Sequence, residues 1–283
     1  SLAAFAGLRD AATAPEGLRV AFRALRHVPR ALEALYPLAG ILPPVNRFFL
    51  DVERRQDKDF QARFLTPAPD GTGVLCFGDD PRARNSVWVY VPETYSPDTA
   101  TPLVMCLHGG SGRGRAFLWS WIRDARSRGA IVVAPTSLGE TWAISGQDID
   151  TPHLAHILEF VRGNWNIDPD RMLLTGMSDG GTFTYTSGLE AGSPFTHLAP
   201  VSAAFHPMLV QMADADRIRG LPIHIVHGAL DWMFAVDMAR EAGRYFSAAG
   251  AAVTFREVED LSHTYPADLN GPILDWLAET SRP

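Results

Sequence analysis

The sequence predicts an α/β protein: a mainly parallel central sheet with helices on both faces, preceded by an N-terminal helical extension over residues 1–60. Three observations carry this. From about residue 64, short β-branched runs alternate with helical segments, the order of βαβ units. Several runs are apolar throughout, as strands covered on both faces are. At 283 residues and 46% hydrophobic, the chain is long enough to bury about 75% of its unfolded surface without a disulfide or metal staple.

The extension comes first. Arg19, Arg23, Arg26 and Arg30 recur at spacings of four, three and four, with Leu18, Phe22 and Leu25 on another face. This predicts an amphipathic helix over 17–35, ending near Pro29 or Pro37, its basic face solvated. A membrane-surface or lid helix is the alternative. Pro43-Pro44 and the charged stretch 51–59 predict a linker, so that residues 61–283 form the main domain.

Beyond it, Ser86-Val87-Trp88-Val89-Tyr90-Val91 alternates with period two and stops at Pro92, as a half-buried strand does. Leu103-Val104-Met105-Cys106-Leu107 is an apolar strand that runs into His108-Gly109-Gly110-Ser111-Gly112. A helix is expected over 117–127 and a buried strand over 130–134. Asp150-Thr151-Pro152 starts a helix that reaches about residue 164. The strand at 171–175 enters Gly176-Met177-Ser178-Asp179-Gly180-Gly181 and a helix follows. Strands at 197–203, 221–227 and 251–258 alternate with helices near 235–249 and 272–279.

Composition excludes several classes. A net charge of −7 lacks the clustered cations that phosphate binding needs, so no nucleic-acid partner is expected. Lys58 is the only lysine among 25 basic residues, a bias that points to a GC-rich genome, so no single arginine carries weight as a chosen group. The longest apolar runs fall far short of the ~18 residues of a membrane span. The start, Ser1-Leu2-Ala3-Ala4-Phe5, has no basic region before an apolar stretch and does not read as a signal peptide, so a cytoplasmic location is expected. Cys76 and Cys106 form no framework, and Cys106 reads as a small buried hydrophobe.

Gly176-x-Ser178-x-Gly180 is the chemically informative motif. Five letters alone are weak, but a strand leads into these and a helix leaves them, the context of a nucleophile elbow. The turn strains the serine, and its neighbours two positions away must be small. A serine hydroxyl needs a base within reach, and in this architecture the order is Ser, acid, His. His263, in the loop between the last strand and last helix, is the histidine in the right place. Asp231, after the strand at 221–227, is the acid, with Asp237 as the rival. Its work is to orient the imidazole and stabilise the imidazolium. The oxyanion needs backbone donors: the N–H of Asp179 and, in the glycine loop, that of Gly110, with Ser111 as the rival. His108 reads as a structural loop residue.

Together these motifs resemble the α/β-hydrolase superfamily. The run from Ile167 to Gly181, with His227-Gly228-x-x-Asp231 and His263-Thr264-Tyr265-Pro266, is similar to its polyhydroxybutyrate-depolymerase and feruloyl-esterase-like (phospholipase/carboxylesterase) branch. The resemblance covers about residues 85–280. It implies a serine esterase acting on a small or oligomeric ester through an acyl-enzyme, with no cofactor and no metal. An acyltransferase on the same residues and a non-catalytic binding protein of the same fold are the alternatives. Ala235 stands where that branch often has proline, and the first sixty residues match nothing in it. They suggest a cap or a homodimer contact. Trp142, Trp232 and Phe234, in loops after strand ends, are candidate walls of a substrate pocket, with plain packing as the alternative. His153 and His156, three apart on a helix, read as polar positions rather than metal ligands, and Asp148 and Asp150 as helix caps.

Overall fold

The computed structural model describes residues 26–64 and 68–280, together with Ala6, Gly17, Val20 and Ala24. Eight strands form one sheet in the order β1-β2-β4-β3-β5-β6-β7-β8. They are β1 (Gly73–Phe77), β2 (Val87–Val91), β3 (Thr101–Leu107), β4 (Ile131–Pro135), β5 (Ile167–Met177), β6 (His197–Val201), β7 (Pro222–Gly228) and β8 (Ala252–Val258). β1 pairs antiparallel with β2 and β2 antiparallel with β4, while β3 to β8 all run parallel.

Period-two alternation of apolar side chains builds a separate core on each face. Val87, Val89, Leu103, Met105 and Leu107 point into one core, beneath α6 (Asp150–Asn164), α7 (Asp179–Gly188) and α10 (Val236–Ala248). Trp88, Tyr90, Val104 and Cys106 point into the other, beneath α4 (Gly114–Leu118), α5 (Ile122–Arg128) and α11 (Asn270–Glu279). The short α8 (Met208–Met212) and α9 (Ala215–Ile218) lie between β6 and β7 in the chain. β3 and β5 are neighbours although β4 lies between them in sequence, so the strand order reverses there. Such a switch point opens a crevice at the carboxyl ends of the strands.

Three expectations change. The helix expected over 117–127 is two helices, because Trp119 and Trp121 are both buried and residues two apart point to nearly opposite sides of a continuous helix. β1 was not foreseen; it is an edge strand, half-buried along its whole length, and carries no buried face to read. The linker expected over 43–59 is packed structure. α2 (Pro43–Phe48) and α3 (Lys58–Ala62) occupy it, Phe49 and Leu50 are buried, and Asp51 Oδ2 bonds Arg128 at 2.9 Å.

Of the amphipathic helix expected over 17–35, α1 (His27–Leu35) is described, with Pro29 in its first turn. Arg19, Arg23, Leu18, Phe22 and Leu25 lie outside the described residues. A buried polar network ties this region to the sheet. Glu93 accepts from Tyr36 Oη at 2.7 Å, Tyr90 Oη at 2.8 Å and Arg126 Nε at 3.0 Å. Arg126 also donates to Asn46 Oδ1 at 2.7 Å and lies 3.9 Å from the centre of the Phe64 ring. Among the described residues, no helix is long and apolar enough to cross a membrane.

Candidate active site

Ser178 lies between the end of β5 and the start of α7 with φ 56° and ψ −120°. The strain is held by close packing on both sides. A Cβ on Gly176 would come within 2.5 Å of the Gly180 carbonyl carbon, and one on Gly180 within 2.5 Å of the Leu107 carbonyl oxygen. Neither position accepts a side chain. The Ser178 N–H bonds the Val201 carbonyl at 2.9 Å, which anchors the turn to β6. Ser111, Ser178 and Ser202 are the described non-glycine residues with positive φ, and all three follow the carboxyl ends of parallel strands, where strain tends to accompany function.

The loops after β7 and β8 supply the partners. His263 Nε2 lies 3.0 Å from Ser178 Oγ and His263 Nδ1 2.8 Å from Asp231 Oδ2. All three residues are buried. Asp231 Oδ1 accepts the N–H groups of Met233 and Phe234, each at 2.9 Å. Burial raises the Asp231 carboxyl, but the Phe234 N–H, the His263 ring and the Met233 N–H outweigh it and hold it below the usual carboxylate range. Gly228 lets the two loops touch: a Cβ there would run into the Leu261 carbonyl oxygen, and the Leu230 N–H bonds that carbonyl at 3.0 Å. The Phe234 and Trp232 rings stand edge-on to His263, at 5.4 Å and 6.1 Å between centroids.

The glycine loop closes on the serine from β3. A Cβ on Gly109 would lie 3.6 Å from Ser178 Cβ. The Ser111 N–H is taken by the Glu140 carbonyl at 3.2 Å, whereas Gly110 N–H has no acceptor among the described residues. The first turn of α7 leaves the Asp179 N–H without an intrahelical acceptor. His108 is tied on both ring atoms: Nε2 accepts the Ser137 N–H at 3.1 Å, so Nδ1 carries the proton and donates to the Gly109 carbonyl at 2.7 Å. Burial pushes its pKa down to about 4, consistent with a neutral structural ring.

Ser178, Asp231 and His263 therefore meet, with Gly110 and Asp179 beside them. Trp142 does not open onto the crevice. It is 1% exposed, stacks on Phe183 at 5.5 Å and donates Nε1–H to the His108 carbonyl at 2.7 Å; packing under the glycine loop replaces the expected pocket wall. Trp232, by contrast, is 57% exposed beside His263. Asp237 is surface-exposed and pairs with Arg240 at 2.8 Å, away from the histidine. Asp148 caps α6 through the Asp150 and Thr151 N–H groups. Asp150 instead turns inward and accepts from the Leu138 and Ala143 N–H groups. His153 and His156 belong to no metal-holding cluster among the described residues.

Two residues at the site are given no role by the sequence: Thr141 is not singled out, and His227 stands only as part of the run His227-Gly228-x-x-Asp231. Thr141 donates its hydroxyl to Asp179 Oδ2 at 2.5 Å. His227 Nε2 lies 2.8 Å from the Phe234 carbonyl and 3.4 Å from Asp231 Oδ2, behind the acid. An isolated threonine carries no spacing signal, whereas the fixed distance of His227 from Asp231 was the signal that could have pointed to it.

The sheet order and the strained serine at the end of β5 define an α/β-hydrolase fold. Solved structures agree at the level of fold. A thermostable esterase aligns with a TM-score of 0.62 at 22% identity, over 74% of this chain and 63% of that one. A ferulic acid esterase aligns at 0.60 and 17% identity, over 73% and 97% respectively. Among curated proteins, a bifunctional acetylxylan esterase/xylanase of Neocallimastix patriciarum is 32% identical over 154 residues, which is 53% of this chain. The match spans only 22% of that relative's length. No protein-family model matches the chain.

Proposed function

We propose that the chain is a carboxylic ester hydrolase working through an acyl-enzyme on Ser178, His263 and Asp231. The observation that carries this is the continuous bond path from Asp231 Oδ2 through both nitrogens of His263 to Ser178 Oγ, at 2.8 Å and 3.0 Å, beneath a strained elbow. His263 Nε2 takes the Ser178 proton as Oγ attacks the ester carbon. The Gly110 and Asp179 N–H groups receive the oxyanion. His263 then protonates the leaving alcohol, and water activated by the same nitrogen releases the acid. Asp231, accepting two backbone N–H bonds, stays ionised and holds the imidazole in the tautomer with its proton on Nδ1.

Within the fold we place the chain in the polyhydroxybutyrate-depolymerase and feruloyl-esterase-like branch that its elbow resembles. Short-chain acyl esters are the substrate class, in keeping with the acetylxylan esterase name of its relative. Trp232, exposed and edge-on to His263, serves as a wall for the substrate. The test is hydrolysis of p-nitrophenyl esters from two to twelve acyl carbons, with Ser178→Ala alongside. Turnover should fall by about 10⁴–10⁶ in the variant; residual activity well above that range would remove Ser178 from the role.

A further inference from the structure

The proposed mechanism uses the backbone of Asp179 and leaves its carboxylate unexplained. That carboxylate is half-buried at the first residue of α7, next to the nucleophile. Oδ2 accepts the Thr141 hydroxyl at 2.5 Å and lies against the glycine loop, where a Cβ on Gly110 would come within 2.8 Å of it. Among the described residues Oδ1 has no hydrogen-bond partner and the group forms no ion pair. The oxyanion role needs only an N–H. A fixed negative group beside the oxyanion opposes the charge that develops there. Its placement makes chemical sense if something in the substrate uses it.

We infer that Asp179 is a specificity-determining residue: its carboxylate accepts a hydrogen bond from a hydroxyl carried next to the scissile ester, so the site selects hydroxylated esters over plain ones. This rests on the esterase reading. A bond to an ionised acceptor is roughly twice as strong as a neutral one. A site with an unfilled acceptor rejects the analogue that lacks the donor. Thr141 adds pre-organisation: by holding Oδ2 it fixes the carboxylate and leaves Oδ1 for the incoming donor. The hydroxyl sits either on the alcohol part or on the acyl part, and each source has its own matched substrates.

The experiment compares kcat/KM within two isosteric pairs, 2-hydroxyethyl acetate against propyl acetate and ethyl lactate against ethyl isobutanoate. It uses the wild type and Asp179→Asn. Asparagine keeps the shape and can still accept from Thr141, and thermal melting confirms that the variant folds. The wild type should favour the hydroxylated member of one pair, and that preference should shrink by about tenfold in Asp179→Asn. The responding pair tells which side carries the donor. Comparing ratios cancels the intrinsic reactivity difference within a pair. Equal preferences in both proteins overturn the inference while ester hydrolysis itself stands. No turnover of any of the four esters by the wild type overturns the esterase reading and this inference with it.

Discussion

Thr141 shows how much of the site depends on a residue without chemistry of its own. Its hydroxyl joins the loop after β4 to Asp179, 38 residues away, while the Glu140 carbonyl beside it holds Ser111. Thr141→Val should lower kcat by about tenfold through loss of a bond to an ionised acceptor, with KM little changed, and Thr141→Ser should restore it. Steady-state kinetics decides; a valine variant with wild-type kcat would show that the loop holds itself. Ser178, Asp231 and His263 were legible because the elbow has a local pattern and its partners follow in a set order. Thr141 was not, since its bond joins positions 38 residues apart. His227 stood in the run His227-Gly228-x-x-Asp231 without a role, since its bond to the Phe234 carbonyl depends on how the loop after β7 folds back. Trp142 was visible as an aromatic after a strand, but its burial depends on Phe183 and the His108 carbonyl, which no local pattern reveals.

At the level of elements, the parallel strands could be read because both faces are covered and the runs are therefore apolar throughout, as in β3, where Val104 and Cys106 enter one core and Met105 and Leu107 the other. The edge strand β1 and the irregular start of β5 could not, whereas β8, at the other edge, was expected at 251–258 and spans Ala252–Val258. β5 begins at Ile167, before the expected 171, and its pairing with β3 shifts register between Thr101 and Leu103; Pro169 stands in that irregular part, where a missing donor is tolerated. The glycine after β7 makes a sharper statement about element ends. Gly228→Ala places a methyl against the Leu261 carbonyl and should part the acid loop from the histidine loop. We expect a loss of kcat larger than any loss of melting temperature would explain. A folded Gly228→Ala protein with kcat within twofold of wild type would contradict that geometry.

For the whole molecule, the distribution of buried ionisable groups sets the response to acid. Burial pushes His108, His197 and His224 down to about 4 from 6.5. Between those values the unfolded chain binds more protons at these rings than the folded one, so stability is complete above about pH 6.5 and falls toward pH 4. Burial pushes Asp124 up to about 6, which works in the opposite direction but is one group against three. The melting temperature should therefore drop between pH 7 and pH 4.5; a flat or rising profile would show the rings are not held neutral. The network around Glu93 is the second molecular-scale feature. Arg126→Met leaves the Glu93 carboxylate, mostly but not fully buried and still bonded to Tyr36 and Tyr90, without its cation. It should cost about 3 kcal/mol, the low end for a buried pair, measurable by denaturant titration, and a loss below ~1 kcal/mol would show the pair to be dispensable.

The same network has a consequence for the order in which the chain is made. Asn46 precedes its partner Arg126 by 80 residues, and Tyr36 precedes Glu93 by 57. A growing chain leaving the ribosome thus presents the N-terminal segment, with Phe49 and Leu50, well before its docking surface exists. That segment has to wait, unpaired, until α5 has been synthesised. The window in which a chaperone or a protease can act on it is set by the speed of translation through the 80 residues that separate Asn46 from Arg126.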